Sequence, residues 1–204
     1  MTGRPDFAIH LAWLAWLVSW WLAAFWRRRT IKRPPSSQEL AHLAPTVLGF
    51  GLLFSTHAPL NDASRQIFNN APAIVEPIRL WATSLGLAWA CFALVVAGCL
   101  FCWWARVTLG VLWSGNITVK SDHRIVDTGP YRLVRHPIYT GLILAAAATA
   151  IEKATVLAIA GAALIVFGFW LKARFEERFL RQELGREAYD SYAARTPMLV
   201  PIRL

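Results

Sequence analysis

The feature that most constrains this chain is a succession of apolar runs separated by short polar stretches. The clearest are residues 7–26 and 78–105. Each is long enough, at 1.5 Å of rise per residue, to cross a hydrocarbon layer of about 30 Å. A backbone in that layer must satisfy its own N–H and C=O groups, so these runs are predicted to be helices. A weaker run at 42–59 contains Pro45, Gly49 and Gly51. Two more, at 137–150 and 154–171, are separated only by a polar turn at Glu152 and Lys153. The expectation is an all-α integral membrane protein with about five transmembrane helices, the last two forming a helical hairpin over about 137–171.

Composition agrees, because a 204-residue chain that is 56% hydrophobic and carries eleven tryptophans has no soluble interior large enough to hide them. The net charge of +9 does not point to nucleic acid, since no basic stripe with interleaved aromatics stands on an otherwise soluble segment. The basic residues sit instead at the ends of apolar runs, where they meet anionic lipid. All three cysteines, Cys91, Cys99 and Cys102, fall inside one apolar run. Their expected role is packing, with neither a disulfide framework nor a metal site.

Orientation follows from the same charges. Arg27, Arg28, Arg29, Lys32 and Arg33 follow the first run at once, and with five spans all basic residues except Arg4, Arg65, Arg79 and Lys153 fall on one side. The positive-inside rule then predicts an N-terminus outside and a C-terminus in the cytoplasm, in the inner membrane if the cell is bacterial. The first run is read as a retained anchor, being too long for a signal-peptide core. Residues 61–77 are expected to form an exterior loop. The organisation expected is three membrane helices over 1–105, followed by a functional region over 106–204.

That region opens with a dense polar and aromatic block, residues 128–141, with sequence TGPYRLVRHPIYTG. Pro137 suits the first turn of a helix, which puts His136 at the N-cap and Tyr139 one turn in. The free amides of that turn, with Arg132 and Arg135, form a site that attracts anions. A plainer reading has the arginines reaching toward lipid headgroups and His136 only capping the helix. Farther on, Lys172, Arg174, Glu176 and Glu177 lie on the extension of the last span, where i, i+4 pairs such as Glu177 with Arg181 suit an exposed helix.

The motifs occur in a recognisable order. Gly129-Pro130-Tyr131 is followed by Arg135-His136-Pro137-x-Tyr139-x-Gly141, an apolar hairpin, Arg174-x-Glu176-Glu177-x-x-Leu180 and Gly185-x3-Tyr189-x2-Tyr192. This resembles the isoprenylcysteine carboxyl methyltransferase family, integral membrane enzymes related to the phospholipid methyltransferases. The resemblance implies S-adenosyl-L-methionine as cofactor, held in a cytoplasmic pocket built from the C-terminal half. It also implies a lipophilic small-molecule or prenylated acceptor drawn from membrane lipid.

By the same resemblance, His123, Arg124, Ile125, Val126, Tyr131, Arg135, His136 and Tyr139 line that pocket with one of the paired glutamates, Glu176 or Glu177. Glu177 and Arg174 are the residues expected at the reacting end, with Arg174 or Lys172 facing an anionic acceptor. Two rival readings stand beside this one. Membrane sterol reductases, which bind a nicotinamide nucleotide, resemble the family in their C-terminal half, and a small scaffold with a basic tail would bind no cofactor at all.

Overall fold

The computed structural model describes residues 5–25, 30–32, 36–55, 78–113, 119–120 and 125–202. Helix α1 covers Pro5–Ala23 and α2 covers Ser36–Leu53, with Pro45 inside it. Helix α3 is Leu85–Leu109, α4 is Pro137–Lys153, α5 is Val156–Leu184 and α6 is Arg186–Arg195. Two 3-10 turns, Gly110–Leu112 and Gly129–Arg132, flank the polar connection from α3 to α4. The chain is a helical membrane protein. Three of its helices, Pro5–Ala23, Leu85–Leu109 and Val156–Glu183, are long and apolar enough to cross a bilayer.

The segments expected to form the other two spans are shorter helices. At 18 and 17 residues, α2 and α4 reach about 27 and 26 Å. Several boundaries move. Residues 78–84 are not helical: they run as an extended strip along the turn between α4 and α5, with Arg79 bridged to Thr155 and Leu80 N–H donating to Ala154 O. Helix α3 starts only at Leu85, because the Ser84 hydroxyl accepts from Leu87 N–H and caps it. Helix α4 continues through Glu152 and Lys153, and the hairpin turns at Ala154, at φ 54°, and at Thr155, which caps α5. The all-α expectation also omits a short antiparallel ribbon pairing β1 (Thr30–Lys32) with β2 (Val119–Lys120). Residues 61–77 lie outside the described residues.

Small residues bring the helices together chiefly between the two halves of the chain rather than within the hairpin. Gly141 and Ala145 of α4 face α3: a Cβ on Gly98 would stand 2.5 Å from Gly141 O and 3.2 Å from the Ala145 methyl. Gly161 and Gly168 of α5 face α2, where a Cβ on Gly161 would meet Gly49 O at 2.6 Å, and one on Gly168 would meet Thr46. Missing side chains let the backbones approach closely, which is how helices bind where lipid is as apolar as leucine. The N-terminal helices α2 and α3 are therefore the packing partners of the C-terminal helices α5 and α4.

Helix α1 is tied in by polar contacts. The buried Trp13 indole donates to Thr149 Oγ1 of α4 at 3.0 Å. The wholly buried Arg106 donates to Ala23 O at the end of α1 and to Gly110 O at the end of α3, with its guanidinium 4.5 Å from the Trp113 ring centroid. A cation between two helix C-termini meets the negative ends of both dipoles. The ends of α1 and α3 thus share one face of the molecule, and β1 and β2 follow them in sequence.

Candidate active site

The polar block gathers at that face. Gly129, at φ 56°, starts the turn carrying Tyr131, and it sits against α3, where a Cβ would meet Thr108 Oγ1 at 3.0 Å. Tyr131 is buried, and burial with Glu176 nearby holds its phenol well above the ordinary range, so it stays neutral. Pro137 takes the first position of α4 and His136 the N-cap, as the sequence predicts. The His136 ring makes no capping bond, because it is directed at α5.

What it meets there is the acidic pair. His136 Nε2 lies 3.1 Å from Glu177 Oε1, and His136 Nδ1 lies 3.7 Å from Glu176 Oε2. Arg135 Nε donates to the same Glu177 oxygen at 2.7 Å. Tyr139 donates its hydroxyl to Glu176 Oε2 at 2.6 Å. Two segments some forty residues apart are therefore joined by three hydrogen bonds and one longer contact. The glutamates are not equivalent: the Glu177 side chain is 9% exposed and enclosed by two cations or donors, whereas that of Glu176 keeps 28% of its surface.

The cluster is floored by rings. His136 stacks on Tyr139 at 5.2 Å with 5° between planes, and Tyr139 stacks on Phe169 at 5.1 Å. Lys172 Nζ lies 5.3 Å from the Tyr139 ring centroid, a cation over an aromatic face. Phe169 is the residue that motif reading passed over. Its signal was its spacing, since 169, 173 and 176 recur at i, i+4 and i+7 on one face of α5.

Other expected residues are placed differently. Arg174 is exposed on the flank of α5, with its guanidinium 5.9 Å from the Trp170 ring, and it is not one of the converging side chains. Arg135 is turned inward rather than presented as an open anion site: Nη1 donates to Ala193 O at 2.9 Å and to Thr196 O at 2.5 Å. Ile125 and Val126 are half-buried in the irregular stretch leading to the Tyr131 turn. His123 and Arg124 lie outside the described residues.

Fold and site together define a helical membrane protein with a polar, aromatic-floored cluster at one end of its helix bundle. Residues 90–182 match the isoprenylcysteine carboxyl methyltransferase (ICMT) family. Among curated proteins, the chain is 27% identical over 124 residues to protein-S-isoprenylcysteine O-methyltransferase B of Arabidopsis thaliana, covering 59% of this chain and 60% of that one. It is 34% identical over 100 residues to a probable protein-S-isoprenylcysteine O-methyltransferase of Oryza sativa subsp. indica, with 48% and 52% covered. It is also 33% identical over 119 residues to the nickel-cobalt-cadmium resistance protein NccN of Alcaligenes xylosoxydans xylosoxydans, with 55% and 52% covered. The chain thus spans about half to three fifths of the length of these relatives.

Proposed function

We propose that this chain is an S-adenosyl-L-methionine-dependent membrane methyltransferase that O-methylates an isoprenylcysteine-type carboxylate or a related lipophilic acceptor. The observation that carries this reading is the junction of His136 and Tyr139 with Glu176 and Glu177 inside the segment matched to the methyltransferase family. In this reading residues 106–204 form the catalytic region, residues 1–105 build the membrane scaffold around it, and both the site and the C-terminus face the cytoplasm.

The residues present suit the cofactor. It brings a carboxylate, ribose hydroxyls, an adenine and a sulfonium cation; the hydroxyls call for a hydrogen-bond acceptor, and the adenine and sulfonium for aromatic surface. Glu176, the more exposed member of the pair, would supply the acceptor, and the stack of His136, Tyr139 and Phe169 the surface. By the family resemblance, Tyr131, Ile125 and Val126 would complete the wall. When bound, the cofactor supplies an electrophilic methyl group on a leaving group that departs as a neutral thioether.

The chain's own task is alignment and exclusion of water. A carboxylate acceptor is ionised at neutral pH and needs no general base. Glu177, held by Arg135 and His136, accordingly orients the site rather than moving a proton. Of the two cations weighed for the acceptor's charge, Lys172 is favoured over Arg174, because its ammonium lies over Tyr139 while Arg174 stands on the outer flank. A soluble donor and a lipid-borne acceptor would meet at the end of the bundle, each arriving from its own phase.

The test is a tritiated-methyl assay of the full chain in lipid nanodiscs, offered farnesylcysteine, membrane lipid extract and small thiols, with calorimetry against S-adenosylhomocysteine and NADPH. Binding of S-adenosylhomocysteine with label released by mild alkali, as a methyl ester is, supports the reading. NADPH binding alone would indicate a reductase, and binding of neither nucleotide a scaffold. Label on lipid amine or thiol, stable to alkali, would keep the transferase and change the acceptor.

A further inference from the structure

Arg135 donates three side-chain hydrogen bonds, and two of them lead away from the ring stack. Its three guanidinium bonds run to Glu177 Oε1 on α5 and to Ala193 O and Thr196 O at the end of α6. A cation there meets the unsatisfied carbonyls and the negative dipole end of a helix terminus. Pro197, which has no N–H, then turns the chain out of helix. From that point the chain lies along the block itself: Arg135 N–H donates to Pro197 O at 2.8 Å, His136 N–H to Met198 O at 3.1 Å, and Thr140 Oγ1 to Leu199 O at 2.7 Å. One turn earlier, the Tyr192 hydroxyl donates to Tyr131 O at 2.8 Å.

Residues 192–199 are therefore a strap. It is fastened at Tyr131, Arg135, His136 and Thr140, the same short stretch that presents the candidate cofactor residues. It also lies beyond the segment matched to the family, which ends at residue 182. The Arg135 side chain, 12% exposed, has its Nε and Nη1 directed at these partners. With Glu177 so held, Glu176 is the more exposed carboxylate of the pair.

We propose that Arg135 is a positioning residue that clamps this strap to the block and so holds His136 and the paired glutamates in register for the cofactor. The proposal rests on the methyltransferase reading for the ligand's identity, while the clamp itself is a property of the chain. It separates two roles for one arginine. A residue touching the cofactor's carboxylate acts without the strap, whereas a clamp acts only through it.

The experiment compares Arg135→Ala, Arg135→Lys, Thr140→Val and the double variant Arg135→Ala/Thr140→Val in the full chain, with thermal melting as a folding control. Calorimetry reads S-adenosylhomocysteine affinity, and amide exchange reads residues 192–200. Arg135→Ala is expected to weaken binding about tenfold, the worth of one charge-assisted hydrogen bond, and to speed strap exchange. Arg135→Lys, which keeps the charge but not the fork, should fall between it and the unaltered chain. Thr140→Val should loosen the strap and weaken binding about threefold. The double variant should be no worse than Arg135→Ala alone, because both act through one strap.

Multiplying losses, or weaker binding with strap exchange unchanged, would overturn the proposal in favour of direct contact. Faster exchange with binding unchanged would overturn it by making the strap irrelevant to the ligand. If Arg135→Ala does not fold, the Lys and Val variants decide the same comparison. Failure of the unaltered chain to bind S-adenosylhomocysteine, with strap exchange still slow and accelerated by Arg135→Lys, would instead condemn the methyltransferase reading.

Discussion

The membrane interior and the polar cluster are held together by opposite means. Inside the bundle, α3 meets α4 at Gly98 and Gly141, and α2 meets α5 at Gly49 and Gly161, where backbone lies against backbone because side chains are missing. At the bundle's end, Arg135, His136, Tyr139, Glu176 and Glu177 are joined by directed bonds between long polar side chains. The first arrangement is a matter of shape and tolerates no added volume. The second is a matter of charge and geometry, and one missing partner strands the others. The site depends on both, because α4 and α5 reach it from packing surfaces on different neighbours.

The sharpest way to break that contrast is to add bulk where none fits. Gly98→Leu should destabilise the protein by about 3 kcal/mol or more, since even its Cβ has no room between Gly141 O and the Ala145 methyl. Thermal melting in detergent should show a large loss, with S-adenosylhomocysteine binding lost in proportion to the unfolded fraction.

Removing a partner from the cluster comes next. Glu177→Ala strands a largely buried Arg135 and should cost about 3 kcal/mol, with binding of S-adenosylhomocysteine lost in the fraction that remains folded. A smaller effect is expected of Tyr139→Phe, which keeps the stack and loses only the bond to Glu176. Affinity should fall by about 1 kcal/mol with the melting temperature little changed. Lys172→Ala should raise the acceptor KM more than Arg174→Ala does, and the reverse order would return the acceptor's charge to Arg174.

The smallest change probes a polar contact placed inside the bundle. Thr149→Val removes the acceptor for the Trp13 indole, and hydrogen bonds within membranes average about 0.6 kcal/mol. A melt shifted by far more than this would mean that the interior also relies on directed bonds, and the contrast would fail.

Helix existence was legible because hydrophobic length alone decides it in a bilayer. Ends were less so: residues 78–84 are as apolar as a helix start, yet they are extended because the α4–α5 turn offers them backbone partners. The small residues of α4 and α5 were visible as stripes, but a stripe records that something approaches closely and not which helix does. At the site, Pro137 announced its helix start, and Arg135, His136 and Tyr139 stood out as costly residues at a membrane boundary. That Arg135 faces inward to α6 while Lys172 faces the stack was not visible, because both are cations near a polar end.

Amino-acid order alone determined that this chain enters a membrane as helices and that its polar block opens one of them. Apolar length and a proline's missing N–H are local properties, readable without neighbours. Tertiary structure alone decided which glutamate is enclosed and which is exposed, and that residues 192–199 strap the block. Those outcomes depend on where helices distant in sequence come to lie, and that is set by glycine contacts and hydrogen bonds between them.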